Sequence, residues 1–223
     1  SQGGSIGGPG STGSAATPTA TASPTPCAAP LCLEQTISTL ELQDRPLDEN
    51  VLKIFSAAAD TENNRVYVSG IMSRDIAILD GATEEWIGTI DSGTDGRGLK
   101  YLYADSAAGY LYVLDATHGE LRRIHLDSGE IDGPVDVGGF LEGHRALVLD
   151  QHGLILISTR DAGVQAFGGD QFALVYANTS FGEATGALAY DPLRDSVLVL
   201  DSAATTAQRV IHVLDAATGR ATY

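Results

Sequence analysis

The chain has 223 residues, 43% of them hydrophobic, which suits one domain with a real core and a tail. Its 29 acidic and 13 basic residues give a formal net charge of −16; no nucleic-acid partner is expected, because phosphate binding needs a basic footprint, and an anionic membrane surface is disfavoured. No apolar run approaches the roughly 20 residues of a membrane-spanning helix, so no membrane span is expected, and the acidity reads as what keeps an extracellular β protein soluble.

Residues 1–26 hold only Ser, Gly, Pro, Thr and Ala apart from Gln2 and Ile6, and the first charged residue is Glu34. Such a segment buries too little apolar surface to offset its ordering entropy. The expected organisation is a disordered linker over 1–35 and a folded domain over 36–223, with the linker acting as a spacer. Cys27 and Cys32, in CAAPLC, are the only cysteines. They suit a local disulfide in an oxidising compartment or two ligands of a metal site that needs more; the disulfide is the expectation. Together these features place the protein outside the cytoplasm: secreted, periplasmic or tethered at the cell surface.

From residue 36 the texture changes to short apolar runs separated by turn residues, the pattern of strands. An apolar run ending in Asp, a turn and a second apolar run recur as KIFSAAADTENNRVYV, KYLYADSAAGYLYVL, ALVLDQHGLILI and ALAYDPLRDSVLVL. The repeat aspartates are Asp60, Asp105, Asp150 and Asp191, each expected to accept hydrogen bonds from turn amides. Third runs follow (DIAILDGATEEW, LRRIHLDSGE, GVQAFGGDQF, VIHVLDAATGR), then fourth runs in the first three units (WIGTID, VDV, ALVYA). Four short antiparallel strands per unit, repeated every 40–45 residues, predict an all-β β-propeller. The middle strands Tyr110 to Leu114, Leu154 to Ile157 and Val197 to Leu200 are continuously apolar, as strands covered on both faces should be. The third unit departs from the pattern, with Gly168–Gly169 where its neighbours have Asp-containing turns.

DGATEEWIGTI, LDAATGR and RVYVSG resemble the YVTN-type β-propeller repeat over roughly residues 50–223. The resemblance implies a propeller fold and leaves function open. LDAATGR is also similar to repeats of quinone-dependent dehydrogenases, but the single Trp86 does not fit their tryptophan in every blade. Four units are visible. ISTLELQ, at 37–43, either closes a four-bladed ring or belongs to a larger ring of which these units are part; the partial ring is the expectation.

In propellers, ligands sit near the axis, on loops entering the inner strands. Counting back eight residues from the repeat aspartates gives Arg97, Glu142 and Glu183, with His144 beside them, a polar set able to bind a cation, a sugar or a peptide, or simply solvated loop charge. The five histidines show no metal-ligand spacing and no GxSxG elbow or P-loop occurs, so no metal, cofactor or catalytic residue is assigned. Asp91 to Gly96 and Asp127 to Gly133 look like calcium loops but lack the downstream bidentate Glu and read as turns, with weak calcium binding the one cofactor option. Asn178-Thr179-Ser180 matches a glycosylation sequon. The leading expectation is a binding or scaffold module for a protein, peptide or carbohydrate ligand. The alternatives are a lactonase- or lyase-like propeller enzyme and a surface-layer component.

Overall fold

The computed structural model describes residues 54–71, 73–94, 98–138, 147–159, 163–180, 185–201 and 210–222; the linker, Cys27, Cys32 and ISTLELQ lie outside them. Every described element is a strand. The first sheet has β1 (Ile54–Asp60), β2 (Arg65–Gly70), β3 (Asp75–Asp80) and β4 (Trp86–Asp91). The second has β5 (Lys100–Asp105), β6 (Tyr110–Asp115), β7 (Glu120–His125) and β8 (Ile131–Asp136). The third has β9 (Leu147–Leu149), β10 (Ile155–Thr159), β11 (Gly163–Gly168) and β12 (Ala173–Asn178), and the fourth β13 (Thr185–Asp191), β14 (Ser196–Asp201) and β15 (Val210–Asp215). Each is an antiparallel meander in chain order.

The repeat aspartates close the first hairpin of each sheet. One carboxylate oxygen accepts an amide two or three residues on: Asp60 from Asn63, Asp105 from Ala108, Asp150 from His152 and Asp191 from Leu193, at 2.8–3.2 Å. Asp80 and Asp215 do the same in the turns that follow third strands. Much of the acidity is thus turn chemistry, with short carboxylates supplying the acceptors that tight turns need.

The core lies between sheets. Residues of one strand alternate between the sheet before and the sheet after. Tyr67 and Ile76 meet Leu102, Leu111, Val113 and Ile124 of the second sheet. The second sheet's other face, with Tyr112, Leu114 and Leu121, meets Ile155, Ile157 and Phe167. The third sheet's Leu156, Val164 and Ala166 then meet Leu188, Val197, Val199 and Leu214. Each such aliphatic side chain contributes about 1.5–3 kcal/mol by burial.

Two local expectations change. The fourth strand of the second unit begins at Ile131, not at VDV, so half of the supposed Asp127–Gly133 loop is strand. Pro134 is tolerated there because β8 is the sheet's last strand and its register against β7 already shifts. And β14, although apolar from Val197 to Leu200, alternates in burial there, with Leu198 exposed between buried Val197 and Val199. In the fourth sheet Ala221 is bridged to Leu214 and the Thr222 amide donates to the Val213 carbonyl at 2.8 Å.

Candidate functional site

An open cleft of about 360 Å³ lies between the second and third sheets, at the end where first and second strands, and third and fourth strands, are joined by turns. Its floor is built on two middle strands, β6 and β7, which place Tyr110, Tyr112, Arg123 and His125 on one face. Its rim comes from turns and strand ends: Asp105, Glu130 and Asp132 of the second sheet, and Gly153, Gly169 and Asp170 of the third.

Arg123 organises the cleft. Its Nε donates to Asp132 Oδ2 at 2.7 Å, and Nη1 and Nη2 donate to the carbonyl oxygens of Gly169 and Asp170 at 3.1 and 3.4 Å. The guanidinium carbon lies 4.6 Å from the Tyr110 ring centre and 4.8 Å from that of Phe172, so the charge is held between two π faces. His125 Nε2 lies 2.9 Å from the same Asp132 oxygen, and its ring meets Tyr110 edge-on. Burial would raise the Asp132 carboxyl, but the hydrogen bonds from Arg123 and His125 outweigh it and hold the group below its ordinary value. Burial pushes the Tyr112 phenol up to about 12, so it stays neutral.

The glycines that break the third unit's pattern have a use here. Gly169, at φ 73°, turns its carbonyl to Arg123. A side chain at Gly168 would come within 2.7 Å of Leu154. The corresponding turn of the fourth sheet is gripped in the same way by the third: Tyr176 donates to the Ala216 carbonyl at 2.8 Å and Asn178 Nδ2 to the Gly219 carbonyl at 2.6 Å. The sequon asparagine is therefore an inter-sheet tie, its amide nitrogen bonded within the fold.

Arg97, Glu142, His144 and Glu183 all fall outside the described residues, as do both cysteines. In the chain they precede β5, β9 and β13, whose first residues lie at the end opposite the cleft. At the start of β5, Lys100 is fully buried, and its Nζ donates to the Ser73 carbonyl at 2.8 Å. Burial pushes its ammonium down in pKa, and the nearby Asp115 and Asp75 act against that shift. Of the two calcium-like stretches, Asp91 is occupied by Arg74 and the Gly93 amide. Sequence reasoning missed the cleft. Its signal was present as Arg122–Arg123 between Leu121 and Ile124 in the middle of the third strand, a pair of charges that must find buried partners.

No protein-family model and no curated protein matches the chain. Solved structures do. A chain of Kuenenia stuttgartiensis hydrazine synthase is 12% identical with a TM-score of 0.66, over 81% of this chain and 51% of that one. A chain of a nidogen/laminin complex is 18% identical with a TM-score of 0.56, over 78% and 65%. The computationally designed Ika4 protein is 13% identical with a TM-score of 0.54, over 73% and 90%. The chain thus spans about half the length of the first and less than two thirds of the second. At these identities the likeness defines fold alone: an all-β protein of propeller-like blades.

Proposed function

We propose that this chain is a non-catalytic binding or scaffold module of β-propeller type, working outside the cell or tethered at its surface, and that its cleft holds a basic side chain of a protein or peptide ligand. The propeller reading is supported by four meanders stacked face to face in chain order and by the likeness to larger all-β structures. The ligand reading rests on one observation. Asp105, Glu130, Asp132 and Asp170 line the cleft, while its guanidinium is already spent on Asp132 and two carbonyls. A cleft with that excess of carboxylate attracts ammonium or guanidinium groups and repels anions.

Calorimetry with short Lys- or Arg-containing peptides, their acetylated-Lys counterparts and neutral oligosaccharides tests this. Binding of the basic peptides alone is expected, weakening with salt and falling roughly tenfold in the Glu130→Gln/Asp170→Asn double variant. Binding of neutral sugars alone, or basic-peptide affinity untouched by the double variant, contradicts it. The enzyme alternative rests on Arg97, Glu142, His144 and Glu183. It would be favoured by a lactonase or lyase activity that alanine at Glu142, His144 and Glu183 abolishes without unfolding the protein.

A further inference from the structure

Asp132 receives two donors on one oxygen. Arg123 Nε lies 2.7 Å from Oδ2, and His125 Nε2 lies 2.9 Å from it. The turn after β7 fixes where the imidazole stands. The His125 amide donates to the Glu130 carbonyl at 2.9 Å, the His125 carbonyl accepts from the Gly129 amide at 2.8 Å, and Tyr110 meets the ring edge-on. A carboxylate only accepts hydrogen bonds, so Nε2 carries a proton whatever the charge of the ring. The proton that makes the ring a cation therefore goes to Nδ1, which forms no hydrogen bond among the described residues. The side chain is 31% exposed, so solvent protons reach the ring.

We infer that protonation of His125 regulates this cleft, so that a basic ligand held at neutral pH is released in mild acid. The inference rests on the cleft being the ligand site proposed above. Every element around the imidazole presents a charged or titratable group: Arg123 on its own strand, Tyr110 and Tyr112 on β6, Asp105 at the end of β5, Glu130 just before β8 and Asp132 within it, and Asp170 in the turn of the third sheet. With a neutral imidazole, four carboxylates face one guanidinium, and the excess attracts a ligand cation. An imidazolium is a second resident cation. It repels the ligand's charge and draws on the same carboxylates, so proton and ligand compete. By linkage, each weakens the binding of the other by the same factor. Carboxyl groups as a class titrate at about pH 4 and phenols at about pH 10, while a guanidinium keeps its charge throughout. Imidazole is the side chain that changes charge between roughly pH 5 and 8. A histidine just outside the cleft, His152, adjoins the lining residue Gly153, but its Nε2 is turned to Asp195 of the fourth sheet at 2.8 Å.

Calorimetry of the full chain with a short Lys- or Arg-containing peptide, at roughly pH 7.5 and roughly pH 5.5 and constant ionic strength, tests this. The affinity should fall roughly fivefold or more on acidification. At about pH 6.5, titrations in two buffers of different ionisation enthalpy should show proton release on binding. His125→Gln keeps an amide donor for Asp132 but takes no proton, and in it the affinity ratio between the two pH values should fall to about one. His152→Gln should keep the wild-type ratio. Equal affinity at both pH values, binding without proton release, or a pH dependence that survives in His125→Gln or vanishes in His152→Gln overturns the inference and leaves the cleft reading intact. No binding at the higher pH overturns both. Should His125→Gln fail to fold, the imidazole NMR titration of the wild type decides: saturating peptide should move the His125 midpoint to lower pH, and an unmoved midpoint overturns the inference.

Discussion

The Arg123 guanidinium lies 3.1 Å from the carbonyl oxygen of Gly169, in the turn between the third and fourth strands of the next sheet. One side chain thereby ties two sheets that also pack through aliphatic and aromatic side chains, Tyr112 against Phe172 among them. Replacing it with Met keeps the stem but removes the donor to two turn carbonyls and leaves Asp132 to His125. A loss of about 2–4 kcal/mol in urea unfolding is expected. Arg123→Lys should recover only part of it, since an ammonium cannot span Asp132 and both carbonyls.

Gly219 and Gly109 separate steric from conformational cost. Both have positive φ, 67° and 73°. A side chain at Gly219 would stand 2.3 Å from the Tyr176 ring, whereas one at Gly109 would meet nothing within 4 Å. Gly109→Ala should therefore cost about 1 kcal/mol, the backbone penalty alone. Gly219→Ala should cost clearly more, because the grip of the third sheet on the fourth must open. Paired thermal melts check the order.

Two groups of carboxylates should act with opposite sign in acid. Asp91 is held below its ordinary value chiefly by Arg74. Asp60 and Asp132 are held there by hydrogen bonds that outweigh their burial. Their stabilisation is present above the unfolded value of 3.8 and lost as pH falls through their lower folded values. Asp150 is the reverse. Burial raises its carboxyl, and Oδ2 has no hydrogen-bond partner. It binds its proton more tightly when folded, so stability is lost as pH rises from 3.8 through its folded value. Asp150→Asn should raise stability by about 1 kcal/mol at neutral pH, and the gain should vanish below the unfolded value; pH-dependent urea titrations check both signs.

His152 of the third sheet's first turn lies 2.8 Å from Asp195 of the fourth. The hydrogen bond to Asp195 raises its pKa above 6.5. The stability it adds is present in full below 6.5 and lost as pH rises through the folded value. An NMR titration should find His152 titrating later in wild type than in Asp195→Asn.

Strand number, hairpin positions and the role of the repeat aspartates were legible in the sequence, because period-two apolarity and Asp at turns are local signals. The start of β8 was not. Ile131 is an isolated apolar residue among polar ones, and only pairing with Ile124 makes it strand. The cleft was illegible for a related reason: it is made by side chains of one sheet and turn carbonyls of the next, some 46 residues on. Gly168–Gly169 read as a flaw in a repeat, although bare carbonyls at that turn are what Arg123 requires. The alternating burial of β14 was hidden as well, since Val197 to Leu200 look the same whether one face is covered or two.

The most direct test of a basic-ligand site between the second and third sheets is the imidazole NMR signal of His125 during titration with a short Lys- or Arg-containing peptide. Saturable shifts at His125, with His152 and His212 unmoved, are the predicted result. Saturable binding that leaves His125 still while other histidines move would place the ligand elsewhere and contradict the account.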